Sequence, residues 1–189
     1  MSQGLWDQAA EEFDDAPDHG LTDPSVRAAW RELLLEVLPA GPARVADLGC
    51  GTGTLARLLT DAGYRVDGLD FSPEMIRRAR EKVPEAEFWI GDASTPPLEP
   101  GTYDVVLSRH VLWAMPDPTS AFHKWVELLK PRGVVVLIEG RWGSAGLTSA
   151  AARRIVLTSR AEATVRPMTE AIFWGKDIDD ERYMITSLR

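Results

Sequence analysis

Cysteine is nearly missing from this chain. One residue, Cys50, stands among 189, so no internal disulfide can form and no cysteine cage for structural zinc exists. Positive charge is short as well: 21 Lys and Arg face 29 Asp and Glu, a formal charge of -8. That balance argues against nucleic acid or an anionic membrane surface as partner, since both need a basic face. No apolar run approaches the roughly 20 residues of a membrane span. The opening MSQGLWDQAAEEFDDAPDHG lacks the basic start and apolar core of a secretory signal, so a cytoplasmic location is expected. Repeats, low-complexity tracts and long linkers are also missing. No metal is expected either: the acids Asp177, Asp179 and Asp180 lack the glycine and the later bidentate acid of a calcium loop, and read as a turn.

What remains is the composition of one soluble globular domain, 44% hydrophobic and 26% charged, long enough to bury a core. Residues 1–22 carry acids, Pro17, Gly20 and a few aromatics without periodicity, which reads as a loose arm or a lid. Residues 23–189 read as a single α/β domain. Asp23-Pro24 opens a helix whose face Val26, Trp30, Leu33, Leu34 and Val37 must pack on something. Apolar runs at 45–48 and 65–69 then alternate with helices at 54–62 and from Ser72-Pro73-Glu74. Further strands end near Ile90, Leu107 and Ile138. The helix between the last two starts at Asp117-Pro118, turns Phe122, Trp125, Val126 and Leu129 inward, and stops at Lys130-Pro131-Arg132-Gly133. A helix over roughly 147–160 and extended runs around 163–168 and 182–187 close the chain. This rhythm predicts a doubly wound, mostly parallel sheet of about seven strands with an edge pair at the end.

The first strand runs into DLGCGTG, residues 47–53. Gly49, Gly51 and Gly53 permit a tight turn whose backbone approaches a ligand at a helix start. A dinucleotide fingerprint would need glycine at position 54, which is threonine. Asp70 ends the second strand, where a carboxylate can accept bonds from both hydroxyls of a ribose. Asp92 ends the third, where it could accept from an adenine amine while Phe71 or Met75 packs on the ring; taken alone, Asp92 reads equally well as a turn residue. Asp47 ends the first strand. Acids ending successive strands beside a glycine loop imply a nucleoside ligand with a positive portion in place of a pyrophosphate, which describes S-adenosylmethionine.

On these residues the chain resembles the class I S-adenosylmethionine-dependent methyltransferases, in the small-molecule branch with the type 11 methyltransferase domain. The likeness rests on DLGCGTG (47–53), GLDFSPEM (68–75), GDA (91–93), YDVVLSRHVLWAMPDP (103–118) and LKPRGVVVLIEG (129–140). It implies strand order 3-2-1-4-5-7-6 with the seventh strand antiparallel. It also implies that Gly49 and Gly51 contact the methionine part, with Arg109 beside it, Asp70 the ribose and Asp92 with Ala93 the adenine; with Asp47, Cys50, Phe71 and Met75 these make up the expected cofactor site. Lys-Pro-Arg-Gly at 130–133 replaces the commoner Lys-Pro-Gly-Gly.

In open parallel sheets ligands sit beyond the carboxyl ends of the strands. The acceptor pocket is therefore expected at the turns 108–115 and 140–146, with Trp113, Arg141 and Trp142 binding a flat or anionic small molecule, and Trp6 and His19 contributed by the arm. The bland reading is that these tryptophans cover the core edge and Arg141 is solvated. His110 is the candidate general base, with His19 second, and His123 reads as a surface residue. A short-chain NAD-dependent reductase would need a Tyr-x-x-x-Lys pair, which is missing. The expectation is methyl transfer to an oxygen or nitrogen of a small metabolite. The rival from another class is an S-adenosylmethionine-binding protein that regulates or scaffolds without turnover. The sequence sets no oligomeric state.

Overall fold

The structure, a computed structural model, describes residues 3–188; residues 1, 2 and 189, at the ends of the two expected units, lie outside it. Local capping fixes most helix starts. Asp23 accepts the N–H of Ser25 and Val26 at the head of α3 (Pro24–Val37). Ser72 accepts from Met75 before α5 (Pro73–Lys82), and Asp117 accepts from Thr119 and Ser120 before α6 (Pro118–Glu127). Each cap is followed by proline at the first turn, where its missing N–H costs nothing. Before them lie two short arm helices, α1 (Gln3–Ala9) and α2 (Pro17–Gly20). The remaining helices are α4 (Thr54–Asp61) and α7 (Ser149–Val156).

The strands are β1 (Arg44–Leu48), β2 (Arg65–Asp70), β3 (Glu87–Ile90), β4 (Tyr103–Arg109), β5 (Leu129–Trp142), β6 (Ala145–Gly146), β7 (Thr164–Pro167) and β8 (Glu181–Ser187). They form one sheet in the order β3-β2-β1-β4-β5-β8-β7, with β6 folding back on the end of β5. Leaving out the two-residue β6, this is the expected order. β8 pairs antiparallel with both β5 and β7, which makes the anticipated edge pair. One apolar layer joins Trp30, Leu34, Leu59 and Ile76 to Val45, Val66 and Val136. The other joins Phe122, Trp125 and Val156 to Leu48, Val106 and Leu137. The central strands are thus buried on both faces, as a parallel sheet requires.

Several boundaries differ from expectation. β5 begins at Leu129, because Leu129 pairs with Tyr103 across an irregularity in the register. It continues past Ile138 to Trp142, because Glu139, Gly140 and Arg141 find partners on β8. Arg132 takes φ 72°, the left-handed conformation of the position where glycine is commoner in the family it resembles. Val126, expected inward, is half-buried, and α7 is shorter at both ends than 147–160. Among the described residues no helix is long and apolar enough to cross a membrane.

Candidate cofactor and acceptor site

The site begins with the turn after β1. Gly49 and Cys50 donate their N–H groups to the Leu69 carbonyl at 2.7 and 3.0 Å, binding the loop to β2. Gly49, Gly51 and Gly53 take φ values of 75°, 54° and 78°. A Cβ on Gly49 would lie 2.2 Å from Val111 Cγ2, so glycine is required there by space as well as by backbone. Asp70 completes the turn. Its Oδ2 accepts the Gly51 N–H at 3.0 Å and its Oδ1 the Ser72 N–H at 2.9 Å. One carboxylate therefore joins the glycine loop to the head of α5, and each oxygen keeps a second lone pair for a ligand hydroxyl.

A cavity of about 350 Å³ opens beyond these strand ends. Every residue expected to hold the cofactor lines it: Asp47, Gly49, Cys50, Gly51, Asp70, Phe71, Met75, Asp92, Ala93 and Arg109. His110, Trp6 and His19 line it too. Trp113, Arg141 and Trp142, expected at the acceptor, are not among the residues lining this cavity. Trp113 turns its indole N–H back onto the His110 carbonyl at 3.0 Å. Trp142 packs edge-on against the His110 ring at 4.8 Å between centroids. Arg141 is exposed and donates to the Gly143 carbonyl. The two tryptophans thus pack on His110, which lines the cavity, and Arg141 does not. His123 is exposed and bonded to Thr158, as expected of a surface residue.

Burial governs the charges. Asp47 is 2% exposed, and its Oδ2 has no hydrogen-bond partner among the described residues. Burial, with Asp70 nearby, pushes its pKa up to about 7 against the pull of the Arg109 guanidinium. Cys50 is a buried thiol whose pKa is pushed up by burial and by Asp47 and Asp70, so it is an inert wall and no nucleophile. His110 sits in the left-handed region at φ 62°. Its ring stacks on Trp174 at 6.0 Å, and its buried Nε2 has no partner among the described residues. Burial first, then the positive Arg109, hold its pKa well below the usual histidine value.

The arm closes the remaining side. Arg109 donates to the carbonyls of Asp18 and His19, both at 3.1 Å, and stacks over Trp30. Asp18 pairs with Arg182 at 2.9 Å. Asp14 takes the Lys82 ammonium and the Thr52 hydroxyl, both at 2.6 Å. Asp7 accepts the Ser72 hydroxyl at 2.5 Å. Phe13 stacks on His19 at 4.3 Å, and Trp6 meets Phe13 edge-on. Residues 3–20 thus lie across the mouth of the sheet and bring three aromatic rings into the cavity wall.

Sequence reasoning holds Val111, Ala114 and Met115 only as members of the turn 108–115 and Phe13 as an aromatic of the possible lid, and misses Leu55 and Pro116, all of which line the cavity. It also passed over Glu139, whose Oε1 accepts the N–H groups of Val111 at 3.0 Å and Leu112 at 2.7 Å. The available signal was an acid inside the apolar run VVVLIEG.

The chain is similar to known methyltransferases. The family model described as a methyltransferase domain matches residues 46–137. The demethylmenaquinone methyltransferase of Renibacterium salmoninarum is 32% identical over 139 residues, 70% of this chain and 59% of that protein. The 2-methyl-6-phytyl-1,4-hydroquinone methyltransferase of Synechocystis is 35% identical over 109 residues, 56% of this chain and 34% of that protein. The chain therefore spans less than two thirds of the length of either relative. Among solved structures, the magnesium protoporphyrin IX methyltransferase of Synechocystis with bound S-adenosylmethionine shares the fold. It gives a TM-score of 0.68 at 21% identity, over 86% of this chain and 77% of that one.

Proposed function

We propose that this chain, whose residues 46–137 match the methyltransferase-domain family model, transfers a methyl group from S-adenosylmethionine to an oxygen or nitrogen of a small, flat, uncharged metabolite. The observation that carries this reading is the cavity at the strand ends, where Asp47, Asp70 and Asp92 share a wall with the glycine loop. That donor set fits the cofactor: the acids repel a pyrophosphate and favour a sulfonium and an ammonium, and the buried, unpartnered Asp47 oxygen awaits a donor. Asp70 would take the ribose hydroxyls, Asp92 and Ala93 the adenine edge, and Phe71 and Met75 the faces of the base. When bound, the cofactor supplies an electrophilic methyl group and leaves as S-adenosylhomocysteine.

The chain's own contribution is placement and dryness, which can supply most of the rate of an in-line displacement. Trp6, Phe13 and His19 shield the reacting centre. His110 offers an imidazole that burial keeps neutral. A base of so low a pKa takes a proton poorly at neutral pH, so its Nε2 is better suited to hydrogen-bonding and orienting the acceptor. The cations near the cavity are already engaged: Arg109 by arm carbonyls, Lys82 by Asp14, Arg182 by Asp18. Arg109 is thus the one arginine or lysine among the described lining residues, and an anionic acceptor would meet it already held by the arm and faced by the three acids of the wall. The names of the relatives, demethylmenaquinone and hydroquinone methyltransferases, agree with an aromatic acceptor.

The test is incubation of the full chain with methyl-labelled cofactor and a metabolite extract, followed by mass spectrometry. A labelled neutral aromatic product is expected. Tight S-adenosylmethionine binding with no labelled product from any extract would establish the non-catalytic binding protein instead. An Asp70→Ala variant should bind S-adenosylhomocysteine at least tenfold more weakly, since each charge-assisted bond contributes about 1.5–3 kcal/mol. Unchanged affinity would remove the ribose assignment.

A further inference from the structure

Along β5 the residues Val134 to Ile138 are all buried and apolar, and the next, Glu139, is 0% exposed. An ionised carboxyl so deep in a sheet carries a desolvation cost, and an apolar side chain of the same volume would often serve stability as well or better. Glu139 Oε2 has no partner among the described residues, while Oε1 takes two consecutive N–H groups, those of Val111 and Leu112. What those N–H groups belong to is the point. The segment after β4 leaves the sheet through His110 at φ 62° and turns through a short 3-10 helix, Leu112–Ala114. It supplies His110, Val111, Ala114, Met115 and Pro116 to the cavity wall. Val111 is the residue that a Cβ on Gly49 would strike, so the segment and the glycine loop meet in direct contact. Glu139 is not among the lining residues.

From this geometry we infer that Glu139 is a positioning residue: by accepting the Val111 and Leu112 N–H groups it presses the segment after β4 against the glycine loop and sets the shape of the cofactor cavity without touching the ligand. The inference rests on the cofactor reading above. It separates from a plain structural role because what the cavity needs is an accepting oxygen at that point, whatever its charge.

Two full-chain variants test it, with S-adenosylhomocysteine as the probe and calorimetry as the readout. Glu139→Gln keeps an accepting oxygen and is expected to bind within about threefold of the unaltered chain. Glu139→Met keeps the volume and removes the acceptor. It is expected to bind about tenfold more weakly or worse, the size of effect that leaving buried donors unpaired produces, while thermal unfolding confirms that it is folded. Equal affinity in Glu139→Met and the unaltered chain overturns the inference, as does a tenfold loss in a folded Glu139→Gln. Hydrogen exchange on the unaltered chain keeps the test alive if Glu139→Met does not fold: the Val111 and Leu112 amides are expected to exchange slowly, and more slowly still with the probe bound. Fast exchange indifferent to the probe overturns it. An unaltered chain that binds no S-adenosylhomocysteine at all refutes the cofactor reading itself, a different outcome from all of these.

Discussion

The two walls of the cavity are held in place by different physics. On the sheet side, Asp47, Gly49, Gly51 and Asp70 sit at strand ends whose register is set by the parallel pairing of β1 with β2 and β4. Their bonds are short in sequence, such as Gly51 to Asp70, 19 residues apart. On the opposite side, the arm is tied by contacts that span the chain: Asp14 to Lys82, 68 residues apart, and Arg182 to Asp18, 164 residues apart. These ties are unequal. The Asp18–Arg182 pair is nearly buried and belongs to a network, with Asp180 2.6 Å from Arg182 and Lys176 3.5 Å from Asp18. Lys82 and Asp14 keep 27% and 34% of their side-chain surface exposed, where an ion pair is worth roughly 1 kcal/mol or less. The helix α1 buries none of its residues. A rigid wall suits a ligand shared by a whole family, and a wall fastened by replaceable side chains suits an acceptor that varies. The contrast can be broken by disturbing each side in turn.

The largest effect is expected from Gly49→Ala. The backbone there sits at φ 75°, which costs a side chain about 1–2 kcal/mol, and the new Cβ would fall 2.2 Å from Val111 Cγ2. Because the sheet fixes the glycine loop, the strain must pass into the segment after β4. Calorimetry should show S-adenosylhomocysteine affinity falling by about a hundredfold or more, the sum of backbone strain and a displaced wall. Affinity within threefold would mean that the sheet wall yields as easily as the arm, and the contrast would fail.

A smaller effect follows from Asp47. Its pKa, pushed up to about 7 by burial, lies above the ordinary carboxyl value, so the folded state holds the proton more tightly than the unfolded one. On this account the stability Asp47 contributes is fully present below the ordinary carboxyl range and is lost as pH rises through about 7. A cationic ligand acts in the opposite sense. It favours the carboxylate, so binding below pH 7 releases a proton, and affinity for S-adenosylmethionine should rise with pH by at most about tenfold per unit before flattening. Glu139, with its pKa pushed up to about 8 by burial against the pull of the Leu112 and Val111 N–H groups, titrates nearby. Asp47→Asn is therefore the control: it should flatten the profile, and a profile that keeps its slope would assign the titration elsewhere.

The same division explains what can be read in the amino-acid sequence. The caps Asp23, Ser72 and Asp117 and the glycine loop are local signals, so α3, α5, α6 and the cavity wall at the glycine loop are legible in the sequence. The orientation of the side chains in the turns after β4 and β5 is not. Trp113 and Trp142 stand in the expected turns, but where their rings point depends on the 3-10 turn at Leu112–Ala114 and on β6 doubling back along β5. Glu139 reads as the end of an apolar strand because the N–H groups it serves lie 27 and 28 residues earlier in the chain. The arm's acids resemble a solvated surface run until Lys82 and Arg182, far along the chain, are brought to them.

The smallest effect is the one that separates the two readings of the turn after β5. Sequence reasoning placed Arg141 in the acceptor pocket as a cation for an anionic substrate. In the fold it is exposed and spends its Nε–H on the Gly143 carbonyl two residues away. A side chain so solvated and so locally bonded holds nothing across the cavity, and surface substitutions of this kind usually change stability by less than about 0.5 kcal/mol. Arg141→Ala should therefore leave both thermal unfolding and S-adenosylhomocysteine affinity unchanged within error, and product formation within about twofold, once an acceptor is in hand. Should turnover collapse while cofactor affinity stands, the arginine must swing inward when the acceptor binds. An anionic acceptor would then gain a second counter-charge beside Arg109.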